Sequence, residues 1–252
     1  MRFIHTADWH LGKLFGQRHM TEDQAYVLDE LIRLVKDTRA EALIIAGDVY
    51  DRAVPPPEAV GLFSETLSKL VEQGSKVLFI AGNHDSAVRL GFGADLFRSS
   101  GVYLTGAVHA ADPPIILSDS FGEVYFSLLP YADPPHMREA FTLTEMPSFD
   151  AAMGVQVQAA RAQIPSGVRS VAVAHAFVIG GQSSESERPL SVGGSDQVSA
   201  HHFSSYSYTA LGHLHAPQRA GAEQIRYSGS LLKYSFDEAA QKKGAVLVEL
   251  DA

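Results

Sequence analysis

The chain has 252 residues, of which 46% are hydrophobic, and this supply of apolar side chains is sufficient for one domain with a large core. Its formal net charge of −9 argues against a surface that coats nucleic acid, although metal ions can still supply positive charge at a local site. The absence of cysteine excludes disulfides and thiolate metal sites, so any metal must be bound through nitrogen and oxygen.

The N-terminal segment MRFIHTADWH contains one early arginine and no long apolar stretch, which predicts a first strand rather than a signal peptide. No stretch of the sequence approaches the ~18 consecutive apolar residues that are needed to span a bilayer. Together with the lack of cysteine, these features predict a cytoplasmic protein with no membrane partner.

The first hundred residues alternate apolar runs with amphipathic helical patterns, which is typical of an α/β fold. The runs FIHTAD, ALIIAGD and VLFIAGN predict buried strands that end at Asp8, Asp48 and Asn83. Three helices are predicted, one opened by a capping box of Thr21 and Gln24, one opened by Pro57, and a later one capped by Asp150. Their predicted buried faces comprise Leu28, Leu31, Ile32 and Val35; Val60, Phe63, Leu67, Leu70 and Val71; and Met153, Val157 and Ala160.

Beyond about residue 100 the helical patterns become sparse and short apolar runs follow one another. VAVAH and YTALGH predict strands that end at His175 and His213, and GVYL, PIIL, EVYFSLL, QIRYSG and GAVLVEL predict further strands. We expect a second sheet packed on the first with helices outside, which is a two-sheet α-β-β-α sandwich forming a single domain over residues 1–252. Residues 180–195, GGQSSESERPLSVGGS, predict a long polar loop of the kind that often carries function.

Five predicted strands end in residue types that bind metal ions. A single aspartate at a strand end is usually a cap, and a single buried histidine is usually a hydrogen-bonded core residue. Five such ends in one chain instead favour a common site, because ligands collect at the carboxyl ends of strands in α/β folds. The candidate ligands are Asp8, His10, Asp48, Asn83, His175, His213 and His215.

Seven ligands are sufficient for two ions if one carboxylate bridges them, and Asp48 is the natural bridge because it follows the middle of three parallel strands. His213 and His215 are two residues apart, so they face the same side and can serve different ions of the pair. Three or four imidazoles make the site too rich in nitrogen for magnesium or calcium, whereas manganese, iron and zinc all fit.

His84 follows Asn83 on the same turn, and we expect it to act as a general acid or to stabilise the leaving oxygen. Asp85 is expected either to orient the His84 ring or to cap a helix. Two ions with a bridging hydroxide suit in-line attack on a phosphate ester, and amide or lactam hydrolysis is the alternative reaction for such a metal pair.

The blocks DWH, GDVYDR, GNHD, AHAF and GHLH occur in this order over residues 8–215 and resemble the calcineurin-like metallophosphoesterase superfamily. A closer resemblance is to the SbcD family of bacterial nuclease subunits, which act with the ATPase SbcC in DNA-break repair. It is carried by HTADWHLGK, GDVYDRAVPP, GNHDSAVRL, SESERPLSVGG, YTALGHLHAPQ and IRYSGSLLKYSFDE.

This resemblance implies two manganese ions, a helix-flanked two-sheet sandwich, and a homodimer formed through helices beside the active site. It implies 3′-to-5′ exonuclease activity on DNA ends and endonuclease activity on single strands and hairpins. In that reaction a metal-bridged hydroxide attacks the phosphodiester and His84 assists the leaving group. The implied ligand sets are Asp8, His10, Asp48 and His215 for one ion, and Asp48, Asn83, His175 and His213 for the other.

The sequence leaves two other functions open. One is a phosphatase or small-molecule phosphodiesterase of the same superfamily, against which the SESER and DRAVPP blocks argue; the other is an inactive scaffold, which requires missing ligands. Chains of the SbcD family normally continue into a capping domain and a segment that binds the ATPase. Because this sequence stops at GAVLVELDA, we expect both to be absent, with weaker DNA binding and ATPase coupling.

Overall fold

The computed structural model describes residues 1–188, 190 and 196–251, so the predicted loop at 180–195 lies partly outside the described residues. The strands are β1 (Arg2–Thr6), β2 (Leu14–Phe15), β3 (Arg18–His19), β4 (Ala42–Ile45), β5 (Lys76–Ile80), β6 (Val102–Thr105), β7 (Ile115–Asp119), β8 (Gly122–Leu129), β9 (Arg169–His175), β10 (Phe177–Val178), β11 (Gln197–Val198), β12 (Tyr208–Gly212), β13 (Gln218–Ala220), β14 (Ala222–Tyr227) and β15 (Val246–Glu249). The helices are α1 (Thr21–Thr38), α2 (Pro57–Glu72), α3 (Ala87–Leu90), α4 (Ala94–Arg98), α5 (Pro134–Ala140) and α6 (Phe149–Arg161), with 3₁₀ turns at Ala200–Phe203 and Asp237–Ala240.

Two sheets form the centre of the molecule. The first has the order β15-β1-β4-β5-β6 and is parallel except for its edge strand β15. The second has the order β13-β14-β12-β9-β8-β7, with four parallel strands between two antiparallel edge strands. The five strands predicted to end in candidate ligands are all present, and β4 is the middle one of β1, β4 and β5, as expected for Asp48.

The apolar core is divided into three layers. One layer lies between the two sheets and includes Phe3, Ile44 and Phe126. A second packs α1 and α2 on the outer face of the first sheet, and a third packs α6 on the outer face of the second sheet. The predicted α-β-β-α sandwich is therefore confirmed. Two runs that were expected in the second sheet, GVYL and GAVLVEL, instead pair with β5 and β1 in the first.

Helix starts differ from the prediction. The α1 stripe is buried as expected, but the capping box is wrong, because Thr21 is the first helical residue and Met20 precedes it without a side-chain cap. Gln24 has another role: its buried amide donates to the backbone oxygen of His10 at 2.8 Å and accepts from the backbone nitrogen of Gly12 at 3.1 Å. It therefore fixes the turn that carries a candidate metal ligand.

The other two helices also depart from the predicted pattern. Ser148, rather than Asp150, caps α6, and its hydroxyl accepts a hydrogen bond from the backbone nitrogen of Ala151. In α2 the side chain of Val60 is exposed, and Ala59 and Thr66 are buried in its place. The buried face of α2 is thus rotated relative to the predicted one.

Candidate metal centre

The structure brings all seven candidate ligands to one place, where the carboxyl ends of β1, β4 and β5 meet those of β9 and β12. Six of the seven side chains are buried and Asn83 is half-buried. At one end of the cluster, the Nε2 atoms of His10 and His215 lie 3.0 Å apart. At the other end, Asn83 Oδ1 lies 2.8 Å from His175 Nε2 and 3.3 Å from His213 Nδ1.

Asp48 lies between these two ends. Its Oδ2 atom is 3.7 Å from His10 Nε2 and 3.5 Å from His175 Nε2. Asp8 lies on the same side and accepts a hydrogen bond from the backbone nitrogen of His213 through Oδ1 at 2.9 Å. This arrangement places one carboxylate within reach of both halves of the cluster, as a bridging ligand requires.

The backbone at the site is strained. Asp8, His10, Asp48 and His213 all have positive φ values, of 53°, 45°, 50° and 103°. Such conformations are uncommon for residues with a side chain, and they persist where the surrounding structure holds them. At these four candidate ligands the backbone therefore turns away from the extended conformation of a strand, and their side chains take directions that a regular strand would not give them.

The glycines that precede three of the ligands are required by close approach. A Cβ atom on Gly212 would lie 1.8 Å from the backbone oxygen of Ala46, and one on Gly47 would lie 2.2 Å from His175 Nδ1. A Cβ on Gly82 would lie 2.1 Å from Asp48 Oδ1. The G-D, G-N-H and G-H blocks of the sequence therefore have a packing cause, because the ends of the two sheets touch at Gly47 and Gly212 and the loops after β4 and β5 touch at Gly82.

The residues present fit a pair of divalent ions. Two imidazole nitrogens with lone pairs repel each other at 3.0 Å unless a proton or a cation lies between them. An ion bound at ~2.1 Å to each nitrogen, with an angle of about 90°, spans that same separation. Within the described part of the chain, two buried atoms at the site, His10 Nδ1 and Asn83 Nδ2, have no hydrogen-bond partner. Oxygen and nitrogen donors in this mixture suit manganese, iron or zinc.

The electrostatics of the site favour neutral imidazoles, which are the form that binds metals. Burial, followed by the neighbouring histidines, lowers the pKa of His10, and burial lowers the pKa of His213 to about 3. Burial and the charge of Asp48 raise the pKa of Asp8. Burial also acts to raise the pKa of Asp48, but the adjacent histidines outweigh it and the pKa is lowered.

His84 lies at the edge of this cluster. Its backbone nitrogen donates to Asp48 Oδ1 at 2.9 Å, and its ring Nδ1 contacts the backbone oxygen of Asp51 at 2.8 Å. That carbonyl can only accept, so Nδ1 carries a proton and Nε2 is the atom that can exchange one in the site. His84 Nε2 lies 3.9 Å from Asp48 Oδ2.

Neither expected role of Asp85 is found. Its carboxylate accepts hydrogen bonds from the backbone nitrogens of Gly82 (2.9 Å), Val49 (3.1 Å) and Tyr50 (2.9 Å), and does not contact the His84 ring. The helix that follows is capped by Ser86 instead. Asp85 thus joins the loop after β4 to the loop after β5, and burial together with the charge of Asp48 raises its pKa to about 7.

One buried carboxylate at the site was missed by the sequence-based reasoning. Glu238 Oε1 lies 3.0 Å from His215 Nδ1, and Glu238 Oε2 pairs with Lys243 Nζ at 2.7 Å. The backbone nitrogen of His215 donates to Glu187 Oε1 at 2.7 Å, and the hydroxyl of Ser186 lies 2.6 Å from His215 Nδ1. Ser186 and Glu187 belong to the block SESERPLSVGG, and Glu238 belongs to IRYSGSLLKYSFDE. Membership of these blocks, which carried the family resemblance, was the sequence signal that could have identified Glu238.

Comparisons with known proteins agree with this site. A family model described as calcineurin-like phosphoesterase matches residues 1–140. The chain is 34% identical over all 252 residues to the SbcD subunit of the SbcCD nuclease from Staphylococcus epidermidis, and the match covers 66% of that protein's length. Its fold is similar to the crystal structure of the protein TT1561 from Thermus thermophilus, with a TM-score of 0.52 and 13% identity over 91% of this chain and 89% of that one.

A two-sheet sandwich with a buried cluster of histidine and aspartate side chains at its strand ends defines a metallophosphoesterase. The chain belongs to the calcineurin-like phosphoesterase family, since the family model covers more than half of it. The family and the cluster imply divalent metal ions. The predicted similarity to SbcD proteins is also confirmed, and this chain corresponds to just under two thirds of the SbcD relative.

The predicted lack of a membrane-spanning helix can be compared with the structure. Among the residues that the structure describes, no helix combines the length and apolar character required to cross a bilayer.

Proposed function

We propose that this chain is the nuclease domain of an SbcD-type, manganese-dependent DNA nuclease, formed by residues 1–252. The observation that carries the proposal is the position of Asp48 between two sets of ligands, because it provides for two ions rather than one. The proposed activities are 3′-to-5′ exonuclease on DNA ends and endonuclease on single strands and hairpins. The similarity of this whole chain to 66% of a nuclease subunit from Staphylococcus epidermidis supports a nucleic-acid substrate over a small phosphate ester.

The side chains have separate roles in this proposal. Asp8, His10, Asp48 and His215 would hold one ion. Asn83, His175 and His213 would hold the other, together with Asp48. A pair of divalent ions supplies an activated water and neutralises the non-bridging oxygens of a phosphodiester.

His84 acts on the leaving group. Its Nδ1 proton is engaged by the Asp51 carbonyl, so Nε2 faces the site and delivers a proton to the departing oxygen. Asp85 takes no part in proton transfer, and it keeps His84 in place by fixing the two loops on either side of it.

The test of this function is a metal titration with four substrates: linear duplex DNA, a hairpin, the non-nucleoside phosphodiester bis-p-nitrophenyl phosphate, and the phosphomonoester p-nitrophenyl phosphate. We expect manganese to support cleavage of the three phosphodiesters and EDTA to abolish it. Rapid hydrolysis of a phosphomonoester with DNA left intact would instead identify a phosphatase. No hydrolysis of any ester in excess manganese would contradict the proposal.

We propose in addition that the chain forms a homodimer and, as the name of its SbcCD relative suggests, associates with an SbcC ATPase. Support for a dimer comes from the segment containing α3 and α4, where Val88, Phe92 and Leu96 are exposed by 80%, 80% and 77%. Three large apolar side chains so close in sequence are typical of a surface that is covered by another chain. The segment follows Asn83 closely in the chain, and Val88 at its start lines the same cavity as Asn83.

A further inference from the structure

We propose that Glu238 is a positioning residue, which fixes the tautomer and ring orientation of His215 and so controls the affinity of one of the two metal sites. The inference rests on the proposed function in that it assumes a metal pair at the site. It goes beyond that function because it assigns a role to a carboxylate outside the ligand set, close to the C-terminal end of the chain.

The contacts of Glu238 show that its two oxygens have different partners. Oε1 faces the His215 ring at 3.0 Å and accepts a hydrogen bond from the Ser186 hydroxyl, and the hydroxyls of Ser184 and Ser235 each donate to it at 3.2 Å. Oε2 accepts from the backbone nitrogen of Tyr234 at 3.0 Å and from Lys243. The side chain is fully buried, and a buried carboxylate is retained only where hydrogen bonds and a counter-charge compensate for lost hydration.

The consequence for His215 follows from its hydrogen bonding. A carboxylate beside Nδ1 requires the proton on that nitrogen, which leaves the lone pair of Nε2 directed at the site. The Nε2 atom is the one that lies 3.0 Å from His10 Nε2. Glu238 therefore selects the one neutral tautomer of His215 that can bind a metal ion at that position.

His215 differs from His175 and His84 in the group that holds its Nδ1 atom. The Nδ1 atom of His175 is held by the backbone oxygen of Ala46 at 2.9 Å, and that of His84 by the backbone oxygen of Asp51. Backbone carbonyls are present with any side chain, whereas the partner of His215 depends on a glutamate. The affinity of the His215 site for its metal ion thus depends on Glu238, which lies outside the five strands that carry the ligands.

Lys243 completes the arrangement. Its Nζ atom contacts Glu238 Oε2, donates to the backbone oxygen of His215 at 2.7 Å, and donates to the Ser230 hydroxyl at 2.8 Å. The same ion pair therefore holds His215 at its ring and at its main chain. The two family-specific blocks SESER and YSFDE, which have no place among the metal ligands, meet around this ion pair.

The experiment measures manganese binding by isothermal titration calorimetry and by electron paramagnetic resonance, with no substrate present. The variants are Glu238→Gln, which keeps an acceptor oxygen but removes the charge, Glu238→Ala, and the charge-neutral double variant Glu238→Gln/Lys243→Met. We expect one of two manganese sites to weaken about 10- to 100-fold in Glu238→Ala and the double variant, less in Glu238→Gln, while the second site keeps its affinity. The coupled two-manganese spectrum then gives way to that of a single ion at limiting manganese.

The matched control is Glu223→Gln, because Glu223 is an exposed glutamate that pairs with Arg219 and Arg226. Ser186→Ala leaves the buried ion pair intact, so it is informative even if the double variant does not fold in EDTA. It removes one contact to His215 Nδ1 and one hydrogen bond to Glu238 Oε1, and we expect the same site to weaken about two- to ten-fold.

Equal affinity in all variants, or equal weakening of both sites, would overturn the positioning role of Glu238. A wild-type chain that takes up no manganese pair would refute the proposed function itself. The failure of the Glu238 role can therefore be distinguished from the failure of the proposed function, because it is observed only when the wild-type chain binds two ions.

Discussion

Replacement of His84 by alanine separates catalysis from metal binding at this site. The His84 ring is 7% exposed and its centroid lies 4.6 Å from that of His10, but its Nε2 atom is 3.9 Å from the nearest Asp48 oxygen. The seven candidate ligands are complete without it. We therefore expect His84→Ala to keep both manganese ions.

The expected loss of turnover follows from the role of Nε2 as a proton donor. Loss of a positioned general acid reduces the rate by roughly 10²- to 10⁴-fold, which corresponds to about 3–5 kcal/mol in the activation free energy. The backbone hydrogen bond from His84 to Asp48 is retained in the alanine variant, so the Asp48 carboxylate stays in place.

Two measurements compare the variant with the wild type. One is kcat on linear DNA and on bis-p-nitrophenyl phosphate, and the other is the manganese that remains bound after gel filtration. The leaving group p-nitrophenolate needs little protonation, so we expect the variant to lose far less on this ester than on DNA. His201→Ala, at an exposed histidine, is the control. A variant that cuts DNA at the wild-type rate would refute the acid role, and one that loses a metal ion would show His84 to be a ligand.

Three further predictions concern packing, pH and assembly. Gly212→Ala places a Cβ 1.8 Å from the Ala46 carbonyl oxygen, and we expect it to destabilise the fold by about 3 kcal/mol in urea denaturation. The control Gly61→Ala lies in open space on α2 and should instead stabilise the fold by about 0.5–1 kcal/mol. Equal effects of the two substitutions would refute this packing argument. Burial lowers the pKa of His5 to about 3, so the unfolded state takes up a proton first as the pH falls below about 6.5. His5 alone therefore accounts for a loss of about 2 kcal/mol in folding free energy between pH 7 and 5. His5→Gln should reduce the pH dependence by that amount, while His10 and His213 keep their own contributions; an unchanged pH slope would refute this. Phe92→Glu should convert the proposed dimer to a monomer in light scattering, whereas Phe121→Glu, at an exposed phenylalanine near Arg169, should not; a dimer in both would exclude the α3–α4 surface.

The fold and the position of the site were accessible from the sequence because the signals are local. The candidate ligands follow apolar runs, and parallel strands bring their carboxyl ends together. His5 also lies on β1, but its two ring nitrogens contact the Tyr208 hydroxyl and the Leu211 carbonyl, so it is a core residue outside the candidate site. The left-handed backbone conformations of Asp8 and Asp48, in contrast, could not be predicted from the sequence pattern.

The errors arise where a polar side chain has a distant partner. Gln24 has the spacing of a capping residue, but it bonds to the His10 turn, which lies 14 residues earlier. Asp85 was assigned to the adjacent His84, yet its partners Val49 and Tyr50 follow β4, 36 and 35 residues before it. Glu238 was not identified for the same reason, since its partner His215 lies 23 residues earlier, beyond the end of β12.

The central claim is that seven side chains from five strands bind two cations on either side of Asp48. Anomalous diffraction at the manganese edge from a crystal soaked in manganese tests it most directly. We predict two peaks about 3.5–4 Å apart, one near His10 and His215 and the other near Asn83 and His175, with Asp48 between them. A single peak, or peaks away from Asp48, would contradict it.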